Sequence, residues 1–406
     1  MTSIRRGAVA ALLLFALPLP LAGPATATPT TATPTTAAPT TGAARTAPVP
    51  PLELPAPTGE HAVGTSTFQL TDRSRTDHWV PSSGARKLLV SMHYPARKGT
   101  GKPAARPYMS AEESRLLLAR TGMGRLIPAE HADKVAATRT HARDRAVPAR
   151  GRHPLVVLSP GFTLPRTTLT LLAEELASRG YVVASVDHPY ESEATAYPGQ
   201  GVLPCTSCRT LEEAGDIRAY AAVSVGRAKD VSFLLDRLTD NRPPWRHARM
   251  IDDRRIGMAG HSIGGNSAAR TMATDPRVLA GVNMDGSFIQ EVPATGIGNR
   301  PFMLLGEGHD QAEDEFWSWH SNWPRLDGWK RWLTVDGSHH LSFVDGPALA
   351  DGIPGAPQNP ALSGKRSAEI TRGYVTAFFD RHLRGIARPV LDGPTPGNPE
   401  VVFHQR

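Results

Sequence analysis

Short apolar runs alternate with helix-compatible segments through the middle of the chain. Residues 154–158 (PLVVL) form a continuous apolar run, and residues 181–185 form the next one. Between them, residues 169–179 have the composition of a helix, and Gly180 is the expected end of that helix. Apolar runs of four to eight residues are typical of strands that are buried on both faces. Strands that alternate with helices at this spacing predict a parallel sheet with helices on both faces.

The same alternation continues through the carboxyl-terminal half of the chain. Four more apolar runs lie at residues 255–259, 280–284, 301–305 and 332–335. Residues 266–273, between the first two runs, are small and compatible with a helix. The sequence therefore predicts an α/β fold built on a mostly parallel central sheet.

The pentapeptide GHSIG occupies residues 260–264, between a predicted strand and a predicted helix. A serine on such a strand-to-helix turn, with glycine two residues before and two residues after it, is typical of the nucleophile elbow of α/β-hydrolases. GxSxG alone arises by chance in glycine-rich chains, so the strand before it and the partner residues after it carry the prediction. Ser262 is the predicted nucleophile.

A serine hydroxyl is a poor nucleophile at neutral pH and needs a base, which in turn needs an acid to orient it. Two adjacent histidines, His339 and His340, follow the predicted strand at residues 332–335. A loop at the carboxyl end of a late strand is where hydrolases of this fold carry the catalytic histidine. Composition does not separate the two histidines.

Two aspartates are candidates for the acid that orients the histidine. Asp285 directly follows the run at residues 280–284, and Asp310 lies in the loop after residues 301–305. Hydrolases of this architecture use one strand or the other, so both candidates stay open on this ground. The aspartate that is not used is expected to cap a turn.

Two main-chain N–H groups are expected to form the oxyanion hole. One belongs to Ile263, the residue after the nucleophile. The other belongs to Phe162, because the apolar run at residues 154–158 ends in Ser-Pro-Gly-Phe and Gly161 permits a sharp turn there.

The amino-terminal residues predict export from the cytoplasm. Arg5 and Arg6 precede an apolar stretch at residues 8–21, and Ala-Thr-Ala at 25–27 is a typical cleavage site, so residues 1–27 read as a secretory signal peptide. Residues 28–60 are rich in Thr, Pro and Ala and predict a disordered linker. Residues 61–406 are then the catalytic domain of a secreted, extracellular protein. No other stretch is long enough to span a membrane.

An insertion at residues 99–152 precedes the strand that leads to Phe162. It contains a predicted capping box, Ser110 with Glu113, and a helical-looking segment at residues 129–142. The insertion is either a set of surface helices or a cover over part of the acyl pocket.

Five tryptophans lie shortly before the histidine loop, at positions 317, 319, 323, 329 and 332. Tryptophan is amphipathic and suits both interfaces and cores. We favour packing against the sheet over a platform that meets lipid aggregates.

Cysteines and charge complete the prediction. Cys205 and Cys208 are expected to form a small structural disulfide, since the protein is exported. No metal constellation is found in the sequence, and no cofactor is expected. The net charge of +7 is scattered along the chain rather than clustered, which argues against a nucleic-acid partner and leaves a weak, transient attraction to lipid surfaces.

The chain resembles a known family, the secreted type of platelet-activating factor acetylhydrolase, also called lipoprotein-associated phospholipase A2, in its bacterial branch. The resemblance covers roughly residues 62–385. The matching segments are residues 70–75 with Trp79, 94–96, 106–109, 153–161, 176–181 and 230–238, the elbow, Asp285 after Asn-Met, and the run GSHH at 337–340.

The resemblance implies a triad of Ser262, Asp285 and His340, and calcium-independent hydrolysis of short or oxidised acyl esters of phospholipids. Better-known members have His-Gly where this chain has Pro160-Gly161, as cutinase-like polyester hydrolases do. This departure concerns the choice of substrate and not the reaction. The alternatives are therefore a cutinase-like or general short-chain carboxylesterase and, in a different class, a catalytically silent binding module.

Overall fold

A computed structural model describes residues 51–103, 108–308 and 313–404, with the main chain only for residues 313–317. The predicted signal peptide, the linker up to residue 50 and Asp310 lie outside the described residues. None of the described helices combines the length and the apolar character needed to cross a bilayer.

The described residues form thirteen strands and nine α-helices. The strands are β1 (Ala62–Thr76), β2 (Ala85–Ala96), β3 (Lys102–Pro103), β4 (Arg143–Asp144), β5 (His153–Ser159), β6 (Val182–Asp187), β7 (Thr195–Tyr197), β8 (Gly201–Leu203), β9 (Ile251–His261), β10 (Val278–Met284), β11 (Phe302–Glu307), β12 (Lys330–Val335) and β13 (Val401–His404). The helices are α1 (Ala111–Arg120), α2 (Ala132–Ala136), α3 (Thr170–Ser178), α4 (Thr206–Ala214), α5 (Ala221–Thr239), α6 (Ile263–Thr274), α7 (Glu313–Asn322), α8 (Gly346–Asp351) and α9 (Gly364–Arg384).

Eleven of these strands form one sheet in the order β13-β12-β11-β10-β9-β5-β6-β2-β1-β4-β3. The six strands from β12 to β6 pair in parallel, whereas β2 pairs antiparallel with β6 and β13 pairs antiparallel with β12. The predicted α/β fold with a mostly parallel sheet is confirmed. The carboxyl ends of parallel strands meet at one edge of a sheet, so the loops after β5, β9, β10, β11 and β12 lie on the same side.

Buried strands were easier to predict than the segments beyond the apolar core. Of the run predicted at residues 255–259, residues 256–259 lie in the buried part of β9, which begins at Ile251 with a more polar stretch and stays buried up to His261. An apolar pattern marks only where side chains are buried, so strand ends that run past the core escape it.

The insertion before β5 contains the predicted capping box. The Glu113 N–H donates to Ser110 Oγ over 3.1 Å, and the Ser110 N–H donates to the Glu113 carboxylate over 2.8 Å, at the start of α1.

The helix predicted at residues 129–142 is wrong beyond Ala136. The chain forms a short 3-10 turn and α2 and then leaves the helix. The Arg139 N–H instead donates to the Leu52 carbonyl, and the N–H groups of His141 and Ala142 donate to the buried Glu174 carboxylate. These tertiary hydrogen bonds replace the helical ones and outweigh the local propensity.

Residues 51–60 were predicted to belong to the disordered linker, and the structure corrects this boundary. Leu54 is only 1% exposed, and its N–H donates to the Arg139 carbonyl. Thr58 donates its N–H and its hydroxyl to Glu175 over 2.8 and 2.6 Å. The folded domain therefore starts before residue 61, although the composition of this stretch resembles that of the linker.

Three of the five tryptophans lie in the core. Trp319, Trp323 and Trp332 are 3%, 8% and 0% exposed, and the rings of the first two lie 5.6 and 5.9 Å from the ring of Trp332. Trp329 is partly buried against Phe378, with ring centroids 5.8 Å apart. The side chain of Trp317 lies outside the described residues. For these four residues the structure fits packing against the sheet.

Cys205 and Cys208 are joined by a disulfide at the start of α4. Cys205 is buried beside Ser207, whose hydroxyl donates to the Tyr190 carbonyl over 2.8 Å. The bridge and this hydrogen bond together fix the loop that leads into α4.

We expect Leu54→Ala to lower the free energy of unfolding by about 2 to 3 kcal/mol, because it empties a buried site within the supposed linker. Leu279→Ala, at a site that is 37% exposed, is the control and should cost under about 1 kcal/mol. Urea unfolding of both variants measures the difference. Equal, small losses would show that residues 51–60 contribute nothing to the fold.

Candidate active site

Ser262 lies at the sharp turn between β9 and α6, in a backbone conformation with φ of 54° and ψ of −127°. A non-glycine residue with positive φ is strained and persists only where the surroundings impose it. Here the surroundings leave no room for a side chain at either of the two flanking glycines, Gly260 and Gly264. A Cβ atom on Gly260 would lie 2.1 Å from the Gly264 carbonyl carbon, and one on Gly264 would lie 2.2 Å from the Ser159 oxygen.

The histidine and the aspartate predicted as partners of Ser262 form a hydrogen bond with each other. His340, in the loop after β12, places Nδ1 at 2.7 Å from Oδ2 of Asp285, which follows β10. The other carboxylate oxygen, Oδ1, accepts the Glu307 N–H over 2.8 Å. Asp285 is 1% exposed and both of its oxygens are engaged, so its orientation is fixed. With the ring proton on Nδ1, the basic nitrogen of His340 is Nε2.

Ser262 and His340 line one cavity of about 500 Å³. Phe162 and Glu307 belong to the same wall, and the insertion contributes Arg125. The insertion was expected to be either a set of surface helices or a cover over part of the pocket. The segment around Arg125 lines the cavity and so fits the second interpretation.

His339 also faces this cavity but makes a different hydrogen bond. Its Nδ1 accepts the Leu341 N–H over 3.2 Å and so caps the 3-10 turn His340–Phe343. The Ser342 hydroxyl in turn accepts the N–H of His339 over 2.9 Å. Adjacent histidines that looked alike in the sequence therefore differ in the structure, because one closes a turn and the other contacts Asp285.

The two amides expected in the oxyanion hole are those of Phe162, in the loop after β5, and Ile263, the first residue of α6. Among the residues described here, neither N–H has a hydrogen-bond acceptor. The first N–H groups of a helix have no partner within the helix and carry its partial positive charge. Both amides are therefore available to an anion at the site.

His261, next to the nucleophile, was not singled out by the sequence analysis. Its Nε2 is 2.8 Å from the carbonyl oxygen of His340, and the two rings lie 4.7 Å apart. Burial, followed by the positive charge that His340 carries when protonated, lowers the pKa of His261 to about 3. The ring is therefore neutral at physiological pH, and its N–H donor ties the histidine loop to β9.

Glu307 is a second carboxyl group beside the His340–Asp285 pair. Half-burial and, next, the charge of Asp285 raise its pKa to about 7, although a main-chain hydrogen bond from His340 acts in the opposite direction. Glu307 thus changes its charge near neutral pH within the cavity. In the sequence, the only indication that Glu307 belongs to the site is its position shortly after an apolar run.

Comparisons with known proteins relate the chain to esterases. Residues 49–203 match the family described as "Platelet-activating factor acetylhydrolase, isoform II". The chain is 28% identical over 383 residues to a probable 1-alkyl-2-acetylglycerophosphocholine esterase of Arthroderma benhamiae, covering 86% of this chain and 93% of the relative. It is 25% identical to a platelet-activating factor acetylhydrolase of Cavia porcellus, covering 57% and 58% of the two chains.

A solved structure, a ferulic acid esterase from Streptomyces cinnamoneus, is 43% identical to the chain and superimposes with a TM-score of 0.76. The match covers 88% of this chain and all of the solved one. The fold and these relatives define the chain as a carboxylic ester hydrolase of the α/β-hydrolase superfamily. Within that superfamily the chain is similar to the platelet-activating factor acetylhydrolase family, through residues 49–203 and the relatives named above.

We expect Glu307→Gln to stabilise the protein at pH 8 and to change its stability little at pH 4.5. The folded-state pKa of about 7 lies above the ordinary 4.5, so the stability that this carboxyl contributes is fully present below 4.5 and is lost as the pH rises through 7. Glutamine stays neutral throughout. The gain at pH 8 should be about 1 kcal/mol, since solvent screens a half-buried group.

Urea unfolding at both pH values measures this difference, with the exposed Glu130→Gln as the control. A stability difference between Glu307→Gln and the natural protein that does not vary with pH would contradict the raised pKa.

Proposed function

We propose that the protein is a secreted, calcium-independent serine esterase of the 1-alkyl-2-acetylglycerophosphocholine esterase type, which removes short acyl groups from phospholipids. The observation that carries the proposal is that His340, which lines the same cavity as Ser262, forms a hydrogen bond of 2.7 Å with the buried Asp285. Secretion is proposed from the signal peptide predicted at residues 1–27.

In the proposed mechanism, Ser262 Oγ attacks the ester carbonyl carbon while Nε2 of His340 takes the hydroxyl proton. The negative charge that forms on the carbonyl oxygen is stabilised by the N–H groups of Phe162 and Ile263. Asp285 holds the imidazole tautomer and stabilises the imidazolium. The C–O bond to the alcohol then breaks, and His340 donates its proton to the departing oxygen.

The acyl group is then bound to Ser262 as an ester. A water molecule gives a proton to His340 and attacks the acyl carbon, and the collapse of this second tetrahedral intermediate releases the acid and returns the proton to Ser262. Proton transfer is carried by His340 and charge stabilisation by main-chain amides. The sequence of steps therefore uses no metal ion and no cofactor.

Arg125 supports a phospholipid substrate. It lies on the cavity wall, exposed, on the insertion that precedes β5. A guanidinium group forms charge-assisted hydrogen bonds with phosphate oxygens, often in pairs. A phospholipid whose acetyl ester is at Ser262 carries such a phosphate a few bonds away.

A second candidate function is hydrolysis of aromatic-acid esters. The solved relative at 43% identity is named as a ferulic acid esterase. Beside the cavity, Phe162 packs edge-on against Tyr220 with ring centroids 5.3 Å apart, and Trp79 belongs to the same apolar cluster. Such a wall suits an aromatic ring as well as an acyl chain. This candidate falls under the general carboxylesterase alternative.

Three substrates separate these functions: an acetylated ether phospholipid, methyl ferulate and p-nitrophenyl acetate. We expect the phospholipid to have the highest kcat/KM, Ser262→Ala to abolish turnover of all three, and EDTA to have no effect. Arg125→Gln should raise KM for the phospholipid about tenfold, because it removes one charge-assisted hydrogen bond to the phosphate. Arg125→Lys should recover most of this affinity, and the neutral p-nitrophenyl acetate is the matched control.

A higher kcat/KM for methyl ferulate, with no effect of Arg125→Gln on any substrate, would replace the phospholipid proposal with the second candidate. Turnover that persists in Ser262→Ala would overturn both.

A further inference from the structure

A buried ionic network lies behind the loop that carries the Phe162 amide. Its members are each at most 2% exposed and include Asp77, Arg86, His188, Glu191, Arg227 and Asp230. Arg86 forms ion pairs with Glu191 over 3.0 Å and with Asp230 over 2.7 Å. Buried charges are costly unless they are paired and hydrogen-bonded, so a network of this size calls for a reason beyond stability.

Arg227, on α5, connects this network to the loop after β5. Its Nη1 donates to the Pro160 carbonyl over 2.5 Å and to Ser159 Oγ over 3.3 Å. Its Nε donates to the Glu191 carboxylate over 2.7 Å. One planar guanidinium group thus holds the main chain two residues before Phe162 and an acidic side chain at the same time.

Glu191 holds the other side of the same loop. Its carbonyl accepts the N–H of Thr163 over 3.1 Å, and the Thr163 carbonyl accepts the Glu193 N–H over 3.0 Å. Thr163 is held at φ of 70°, a conformation that needs support from its surroundings. Burial alone would raise the pKa of the Glu191 carboxyl, but the charges of Arg227 and Arg86 lower it to about 2. The Glu191 carboxylate that pairs with Arg227 therefore stays ionised at physiological pH.

We infer that Arg227 is a positioning residue for the oxyanion hole: with Glu191 it fixes Pro160 and Thr163, and thereby holds the Phe162 N–H that lies between them. The inference rests on the proposed role of that amide. An oxyanion donor lowers the barrier only if it is aimed before the charge develops, so a loop that moves by about 1 Å loses much of the effect.

The same network contains a Ser-His-Asp arrangement that takes no part in ester hydrolysis. Ser159 Oγ is 3.2 Å from His188 Nε2, and His188 Nδ1 is 2.8 Å from Asp230. The three side chains are 0%, 2% and 0% exposed, so no ester reaches them. Since Ser159 also contacts Arg227, this arrangement is a further anchor for the loop.

The test compares Arg227→Gln and Arg227→Lys with the control Arg300→Gln. Arg300 also donates to main-chain carbonyls, including those of Ile297 over 2.6 Å and Val278 over 2.8 Å, but it lies away from the loop after β5. With p-nitrophenyl acetate, we expect Arg227→Gln to lower kcat about 10- to 100-fold with KM within about twofold, since only the transition state carries the oxyanion.

Arg227→Lys keeps the charge beside Glu191 and should give an intermediate kcat. Arg300→Gln should lower the melting temperature and leave kcat unchanged. A phenylboronic acid, which forms a tetrahedral anion on the serine, should bind to the Arg227 variants more weakly in proportion to their loss of kcat.

A folded Arg227→Gln protein with the kcat of Arg300→Gln, or one in which only KM changes, would overturn the inference. If Arg227→Gln does not fold, Arg227→Lys decides, and a kcat within about twofold of the natural protein would overturn the inference. Failure of the proposed function is seen separately, in the comparison of the three substrates and in the activity of Ser262→Ala, and neither measurement involves Arg227.

Discussion

The hydrogen bond between His340 and Asp285 depends on the order of the strands in the sheet. The two residues are 55 positions apart in the chain, and they meet because β10, β11 and β12 are parallel neighbours whose carboxyl ends lie at one edge. β9, on the other side of β10, ends at the same edge and is followed directly by Ser262. The sheet thus converts a sequential spacing into a spatial cluster, and each loop needs to place only one side chain.

The surroundings of this bond control the charges of the site. His261 is kept neutral by burial and donates to the histidine loop, whereas Glu307 titrates near pH 7 beside Asp285. The oxyanion loop has its own support, since Glu191 and Arg227 pair behind it. Two sets of buried polar groups therefore flank the cavity, one holding the proposed base and the other holding a proposed oxyanion donor.

Much of the fold could be predicted because buried strands leave a strong apolar signal. The strands around residues 154–158 and 280–284 and the turn at Ser262 have purely local signatures. The conformation of residues 137–142 could not be predicted from local signatures. Their main-chain hydrogen bonds go to the segment near Leu54 and to Glu174, which are distant in sequence. Leu54 itself was hidden for the same reason, as a single apolar residue in a stretch of linker-like composition.

The candidate site likewise has residues that local motifs predict and residues that they do not. Ser262 and the two histidines are readable from motifs, and the resemblance to a known family selects His340 and Asp285. The partners of Arg227 are not readable, because a buried arginine in a helix looks like any exposed one until its contacts are known. His261 and Glu307 adjoin recognised motifs, yet their roles follow from burial and neighbouring charges that no local pattern records.

The identity of the acid that holds His340 is the central claim, and turnover of p-nitrophenyl acetate by Asp285→Asn and Asp310→Asn tests it most directly. Asparagine at the acid position favours the wrong imidazole tautomer, so the account predicts a loss in kcat of about 10⁴ for Asp285→Asn and less than about threefold for Asp310→Asn. The reverse result, a large loss only in Asp310→Asn, would contradict the account and place the acid after β11.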